Sequence, residues 1–290
     1  WVMLPGVWGA GIYQVNVFVS QLIASGLEGG AIASLQFGIR LQELVLGLFV
    51  VSVAQVILPT LSDQCARDDQ DGVKDTLAFA TRLMTFVCLP ATLALVVLGE
   101  PVVRLLFQFG AFDAQSTQKT AEAVTFYALG LFPIALARVQ QQVFFAHKDQ
   151  KTPAKVAGLV AVTNIVLCLW FSQLMGHAGI ALAGSVAALV NTLCFMVLLR
   201  RQLGPYLGGA LLFRVAKIGG ATAIMTGALV GFNQLWDHAS IASHAMLGVW
   251  VGAVALFGAG VFVATCHILG VNELSGLIEA MRSRRSPTRG

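Results

Sequence analysis

The stretch FGIRLQELVLGLFVVSVAQVILP, residues 37–59, decides the fold class of this chain. It is long and apolar enough for a membrane-spanning helix, which needs about 20 mostly apolar residues. Two charged residues, Arg40 and Glu43, nevertheless lie inside it. A charge in the hydrocarbon core costs at least about 2.5–3.5 kcal/mol, so these two side chains must face protein or water rather than lipid.

The composition of the whole chain is that of a polytopic membrane protein. Of its 290 residues, 57% are hydrophobic and only 11% are charged, whereas a soluble domain is about 25% charged. The small net charge of +4 is not that of a nucleic-acid-binding protein, which clusters its cations on one soluble face. The cysteines show neither disulfide nor zinc spacing; they are Cys65, Cys88, Cys168, Cys194 and Cys266.

Eight apolar segments of spanning length predict eight transmembrane helices and an all-α fold. Turn-rich stretches such as LEGG, HKDQKTP and RRQLGP separate them. A semi-apolar stretch from Pro101 to Phe109 is predicted to be a separate short helix in the membrane interface. The predicted spans are residues 7–25, 31–59, 76–98, 120–145, 154–171, 180–199, 213–235 and 245–269.

The cations divide unequally between the two sides of these spans. Nine in loops and four in the C-terminal tail make thirteen on one side, against Arg104 and Lys119 on the other. The positive-inside rule makes the richer side cytoplasmic, and an even number of spans then places both ends in the cytoplasm. Arg82 and Arg138 fall near cytoplasmic ends of spans, where we expect them to reach the interface. Residues 271–290 are predicted to form a cytoplasmic amphipathic tail.

Polar residues of the second span form a stripe on one helix face. Gln36, Arg40, Glu43 and Gly47 have the spacing i, i+4, i+7 and i+11. Two interpretations of the charges stay open. Arg40 and Glu43 neutralise each other inside the helix bundle, or Arg40 lines a hydrated cavity for an anionic headgroup, because a guanidinium binds phosphate through two parallel hydrogen bonds.

The first span also has a polar side, formed by Gln14, Asn16, Ser20 and Gln21. Such residues bond neighbouring helices to one another or line a cavity. Asn164 in the fifth span is interpreted in the same way. No nucleophile motif, phosphate loop, carboxylate pair or metal-ligand spacing is visible in the sequence, so we expect neither an enzyme nor a bound cofactor.

Four stretches together resemble one family. They are FGIRLQELVLGLFVVSVAQVILPTLS (37–62), LLFQFGAFDAQSTQKTAEAVTFYALGLFPIALARV (105–139), FFAHKDQKTPAKVA (144–157) and GHAGIALAGSVAALVNTL (176–193). The chain is similar over nearly its whole length to the MurJ (MviN) lipid II flippases of the multidrug/oligosaccharidyl-lipid/polysaccharide exporter superfamily. The resemblance implies the last eight of fourteen helices, without the N-terminal lobe, and the start at Trp1 fits a piece of a longer protein.

This resemblance implies an organisation, a function and a location. Residues 1–205 would be the C-terminal six-helix lobe, residues 206–270 two additional helices and residues 271–290 the tail. The function would be the flipping of lipid II across the bacterial cytoplasmic membrane by alternating access. The partners would be lipid II, membrane lipids and the missing lobe, with no nucleic acid. Two alternatives remain: a flippase for another polyprenyl-linked glycan, and a membrane scaffold that transports nothing.

The resemblance also implies roles for single residues. Arg40 matches the cavity arginine of the family's second lobe, and the expected substrate-binding set is Arg40, Glu43, Gln36, Asn16 and Gln14. Some family members bind sodium at positions that match Ser20, Asn164, Cys168, Ile180 and Gly184. Here only Asn164 keeps a side-chain oxygen of the family's ligand set, and a hard cation needs several oxygens and usually anionic charge. We therefore expect no sodium site.

Overall fold

A computed structural model describes residues 4–27, 29–206, 208–235 and 243–271, and within these ranges the chain is helical without a strand. The helices are α1 Leu4–Ser25, α2 Ala31–Val45, α3 Ser52–Ala66, α4 Gln70–Phe107, α5 Ala114–Ala146, α6 Lys151–Met175, α7 His177–Leu203, α8 Gly209–Leu235 and α9 His244–Ile268. A π-helical segment, Leu46–Val51, joins α2 directly to α3. The predicted amphipathic tail lies outside the described residues.

Seven of the described helical stretches are long and apolar enough to cross a membrane, namely the stretch Ala31–Leu48 and the helices α4 to α9. The prediction of an all-α polytopic membrane protein is therefore confirmed. Helix α1 is 22 residues long and is not counted among these seven. That α1 is an eighth span stays a prediction.

Helix α4 corrects the prediction of a separate interfacial helix at Pro101–Phe109. The helix continues through Pro101 to Phe107, well past the predicted end of the span at residue 98. Burial explains the continuation: Val103 is fully buried in a cluster with Leu41 and Val124. A proline removes one helical hydrogen bond, but here tertiary packing outweighs that loss. Helices α5, α6 and α7 likewise extend beyond the predicted bounds at both ends, whereas α9 agrees with its predicted span to within one residue.

Helix α5 lies at the centre of the packing, in contact with α2, α3, α4 and α7. The main core joins α3, α4, α5 and α7 around fully buried residues such as Leu61, Leu77 and Leu131. A second core joins α4 to α8 and α9 around Ile218, Leu229 and Val254. The predicted division into a lobe ending at residue 205 and two additional helices stays a prediction, which the separate core of α8 and α9 supports.

Side-chain caps hold the turns between helices. Asp69, Asp113 and Asp149 each accept backbone hydrogen bonds at the start of the following helix. The hydrogen bonds from Ser116 lower the pKa of the Asp113 carboxyl. A capping aspartate typically contributes about 1 kcal/mol. These loops therefore fix where α4, α5 and α6 begin, and with them the faces that the three helices present to their neighbours.

Candidate functional site

A cavity of about 340 Å3 lies among α1, α2, α5, α6 and α7. Ten of its 22 lining residues are polar, although all five helices are apolar in overall composition. Polar groups deep in a helix bundle are expensive unless they meet partners or water, and they mark functional sites by default. The polar lining residues are Asn16, Ser20, Gln21, Gln36, Gln42, Glu43, Tyr127, Arg138, Asn164 and Asn191.

The polar stripe of α2 borders this cavity. Gln36 and Glu43 line it, whereas Arg40 stands beside it. Arg40 Nη1 donates to Glu43 Oε2 at 3.0 Å, and the two side chains are 71% and 45% exposed. The ion pair of the first interpretation is thus formed. Only one of the guanidinium nitrogens is engaged with the carboxylate within the described residues, so the remaining donors face the open side of α2.

Contacts between α2 and α5 fix the direction of the stripe. The side chain of Gln42 is buried and its Nε2 donates to the carbonyl oxygen of Tyr127. Gly38 packs against the Tyr127 ring so closely that a Cβ at this position would lie 3.2 Å from Cδ2. The small residue permits the close approach, and the buried glutamine sets the rotation of α2. Together they turn Gln36 and Glu43 toward the cavity.

Arg138 is the cation inside the cavity wall. The sequence placed this α5 residue at the membrane interface, but in the structure its half-buried side chain lines the cavity. It pairs with no carboxylate in the part of the chain that the structure describes. Arginine stays protonated at any physiological pH and can hold two phosphate oxygens at once. Arg138 therefore adds a second cation to the site, on the helix opposite Arg40.

The residues at the family's sodium positions form a neutral hydrogen-bonded cluster between α1 and α6. Asn164 Nδ2 donates to Asn16 Oδ1 at 2.9 Å and to Ser20 Oγ at 3.4 Å. Ser20 Oγ in turn contacts Cys168 Sγ at 3.8 Å. Asn164 Oδ1 is buried and has no hydrogen-bond partner among the described residues. The oxygens of Asn16 and Ser20 accept from the Asn164 amide, and none of these residues carries a carboxylate, so this residue set does not fit a sodium ion.

The structure brings together most, but not all, of the predicted site residues. Asn16, Gln36 and Glu43 line the cavity, as do Ser20, Asn164, Ile180 and Gly184, while Cys168 is buried behind Ser20. Gln14 is exposed and lies outside the cavity. Its role in substrate binding stays a prediction without support from this geometry.

Sequence reasoning missed Arg138, Gln42, Tyr127 and Asn191. The sequence ARVQQQ, residues 137–142, did indicate a polar helix face that includes Arg138, because positions 138, 141 and 142 share one face. For Tyr127 and Asn191 no local pattern was available. Both are single polar residues in apolar helices, and only the packing of α5 and α7 shows that they meet at one cavity.

The chain is similar to known proteins of one family. Residues 1–250 match the family model described as "Lipid II flippase MurJ". A probable lipid II flippase MurJ of Vibrio cholerae is 34% identical over 93% of this chain, and one of Rhizobium meliloti is 35% identical over 78%. The matches cover 51% and 42% of those proteins, so the chain spans about half the length of the curated relatives it matches.

Solved structures show the same similarity. A structure described as lipid II flippase MurJ in an inward closed conformation matches 89% of this chain with a TM-score of 0.74 and 26% identity, over 51% of its own length. An outward-facing multidrug resistance transporter of the MATE family matches with a TM-score of 0.62 at 14% identity, which shows a shared fold alone.

Proposed function

This chain belongs to the lipid II flippase MurJ family, and we propose that it forms the C-terminal part of a flippase that moves lipid II across the bacterial inner membrane. The observation that supports this most is the polar cavity within the helix bundle, which contains Arg138 and borders the Arg40–Glu43 pair. Lipid II carries a pyrophosphate, and two permanently charged guanidinium groups suit such a dianion.

In the proposed mechanism, the pyrophosphate competes with Glu43 for the guanidinium of Arg40. An exposed ion pair contributes only about 0–1 kcal/mol, so exchanging the carboxylate for phosphate oxygens costs little. Arg138 binds from the α5 side, and Gln36 and Asn16 contribute neutral hydrogen bonds. The headgroup would then cross as this lobe and the missing N-terminal lobe rock about the site, which opens to one side of the membrane at a time.

A membrane scaffold that transports nothing is the second candidate function. The specific observation in its favour is the Arg40–Glu43 ion pair, because the two charges already neutralise each other in the absence of a ligand. Arg138, a half-buried cation in the cavity wall that pairs with no carboxylate among the described residues, argues against this function, since a scaffold gains nothing from such a charge. A flippase for another polyprenyl-linked glycan would use the same arginines and differ only in the contacts to the sugars.

The test is a complementation experiment. Bacteria are depleted of their own lipid II flippase, and the protein that the native gene encodes is expressed in them instead. We expect restored growth with the unchanged protein, loss of rescue with Arg138→Ala, and impaired rescue with Arg138→Lys, which keeps the charge but lacks the planar fork. Leu159→Ala, on the lipid-exposed face of α6, serves as the matched control. Full rescue by a well-expressed Arg138→Ala protein would favour the scaffold over the flippase.

A further inference from the structure

A second cavity, of about 290 Å3, lies between α3 and α5. It is nearer than the first cavity to the loops that carry most of the cations. Its polar lining consists of Gln55 from α3 and of Arg138, Gln141 and Gln142 from α5. The three α5 residues share one helix face because they are three and four positions apart. Both cavities are close in size to the smallest ligand pockets of proteins, about 300 Å3.

Arg138 is the residue that the two cavities have in common. Arg138 therefore stands at the boundary between them. A phosphate bound by Arg138 has a chamber on each side, into which the rest of a ligand can extend. The chambers differ in charge: Glu43 lines the first, whereas none of the described residues that line the second is a carboxylate.

The glutamine amides of the second cavity lack strong partners. Gln55 and Gln141 make no side-chain hydrogen bond within the described part of the chain, and Gln142 Nε2 donates only to the Arg138 carbonyl, at 3.4 Å. Each amide offers two donors and an acceptor without a charge. Gln55 is exposed and Gln141 is half-buried, and polar groups of membrane helices face protein, water or a polar ligand rather than lipid. Hydroxyl and acetamido groups of a sugar match them, because these groups are uncharged and also both donate and accept.

We propose that the second cavity is a subsite for the first sugar of a prenyl-pyrophosphate glycan, with the phosphates bound at Arg138 between the two chambers. This inference rests on the proposed function and adds a specificity to it. The chain would distinguish a glycosylated prenyl pyrophosphate from a bare one through Gln55 and Gln141. The arginines alone bind the phosphates of both ligands and provide no such discrimination.

The experiment compares the affinity of the natively encoded protein in nanodiscs for two probes. One is undecaprenyl pyrophosphate, and the other is the same lipid carrying one N-acetylated amino sugar. The variants are Gln55→Leu with Gln141→Leu, then Arg138→Ala, and as control Gln173→Leu, an exposed α6 residue that lines neither cavity. Leucine keeps the side-chain volume, and thermal melting verifies that each variant is folded.

The double glutamine variant is expected to lose about tenfold in affinity for the glycosylated probe, which corresponds to roughly one net hydrogen bond, while its affinity for the bare probe stays unchanged. Arg138→Ala is expected to weaken the binding of both probes equally, whereas Gln173→Leu is expected to change the binding of neither. If the glutamine variant binds both probes as the unchanged protein does, or weakens both equally, the sugar subsite is refuted while the flippase proposal stands. If the unchanged protein binds neither probe, both proposals fail.

Discussion

Arg40 and Glu43 are both exposed at the edge of the cavity, and their ion pair is therefore a weak source of stability. An exposed pair typically contributes about 0–1 kcal/mol, whereas each charge costs several times that amount in a membrane helix. Stability alone thus gives no reason to keep two charges on α2. Their exposure on the open side of the helix fits a group that exchanges its partner, which is what phosphate binding requires.

The neutral cluster between α1 and α6 makes a prediction about sodium. Exchange of sodium for potassium should leave the melting temperature unchanged, because Ser20 and Cys168 supply no carboxylate to the site around Asn164. A ligand at 100 times its Kd would stabilise the fold by about 2.7 kcal/mol. The measurement is thermal melting in sodium, potassium and choline chloride at equal ionic strength. A rise in melting temperature specific to sodium would show that the cluster binds the ion.

At the residue scale, the sequence singled out Arg40 and Glu43 as candidate site residues but not Arg138. A charge in the middle of an apolar run is visible by itself, since lipid excludes it. Arg138 lies eight residues from the end of α5, about 12 Å at 1.5 Å per residue, a distance that a long side chain can partly cover. Only the packing of α5 against its neighbours shows that Arg138 lines both cavities.

At the element scale, the seam between α5 and α7 depends on small residues. A Cβ added to Gly130 would lie 2.6 Å from Ser185 Oγ and 3.1 Å from its Cα. The serine hydroxyl cannot move away freely, because it donates to the Phe126 carbonyl at 2.6 Å. Thr192 makes an equivalent bond to the Pro133 carbonyl at 2.6 Å. These bonds tie α7 to the part of α5 that Pro133 interrupts.

Gly130→Ala is therefore expected to destabilise the protein by about 1–3 kcal/mol, as overpacked sites do. Gly158→Ala on α6 is the control, because its Cβ would meet only Ile12 Cδ1 at an ordinary 3.8 Å. That change should be neutral or stabilising by up to about 1 kcal/mol, since alanine is the better helix former. Denaturant unfolding in detergent measures both. Equal stability of the two variants would contradict the close approach of α5 and α7.

The π-helical segment Leu46–Val51 shows what the sequence cannot predict at this scale. Residues 31–59 are correctly predicted as one continuous span, and the structure extends it to Ala66. The helical pattern of apolar residues does not distinguish an α-turn from a π-turn. Such segments often accompany functional sites, and this one begins three residues after Glu43, with Leu46 in the wall of the first cavity and Val51 in the wall of the second.

At the scale of the whole molecule, the cation asymmetry predicts an orientation that can be measured. With Lys151→Cys, at an exposed position at the start of α6, the new thiol should react with an impermeant thiol reagent only after permeabilisation of the cells. With Ala111→Cys, in the exposed turn before α5, the new thiol should react with the same reagent in intact cells. Both changes are made in a background without the five native cysteines. Labelling of position 151 from outside would reverse the predicted topology.

The fold class follows from composition and helix length because the membrane fixes both, and the family resemblance adds the topology. The candidate cavity does not follow in the same way. It depends on which faces of α1, α2, α5, α6 and α7 meet, and those rotations come from long-range contacts such as Gln42 with Tyr127. Residues with a charge are detectable beforehand, whereas neutral lining residues such as Asn191 are not.

The central claim is that Arg40 binds the pyrophosphate of a lipid-linked precursor. Its most direct test measures the flipping of lipid II in proteoliposomes. The protein used is the one that the native gene encodes, with Arg40→Ala and Glu43→Ala combined. If Arg40 only neutralises Glu43, removal of both charges restores what either change alone destroys. If Arg40 binds pyrophosphate, the double variant inserts and folds but remains inactive. We predict the inactive, folded double variant, and a well-expressed double variant with normal flipping would contradict the account.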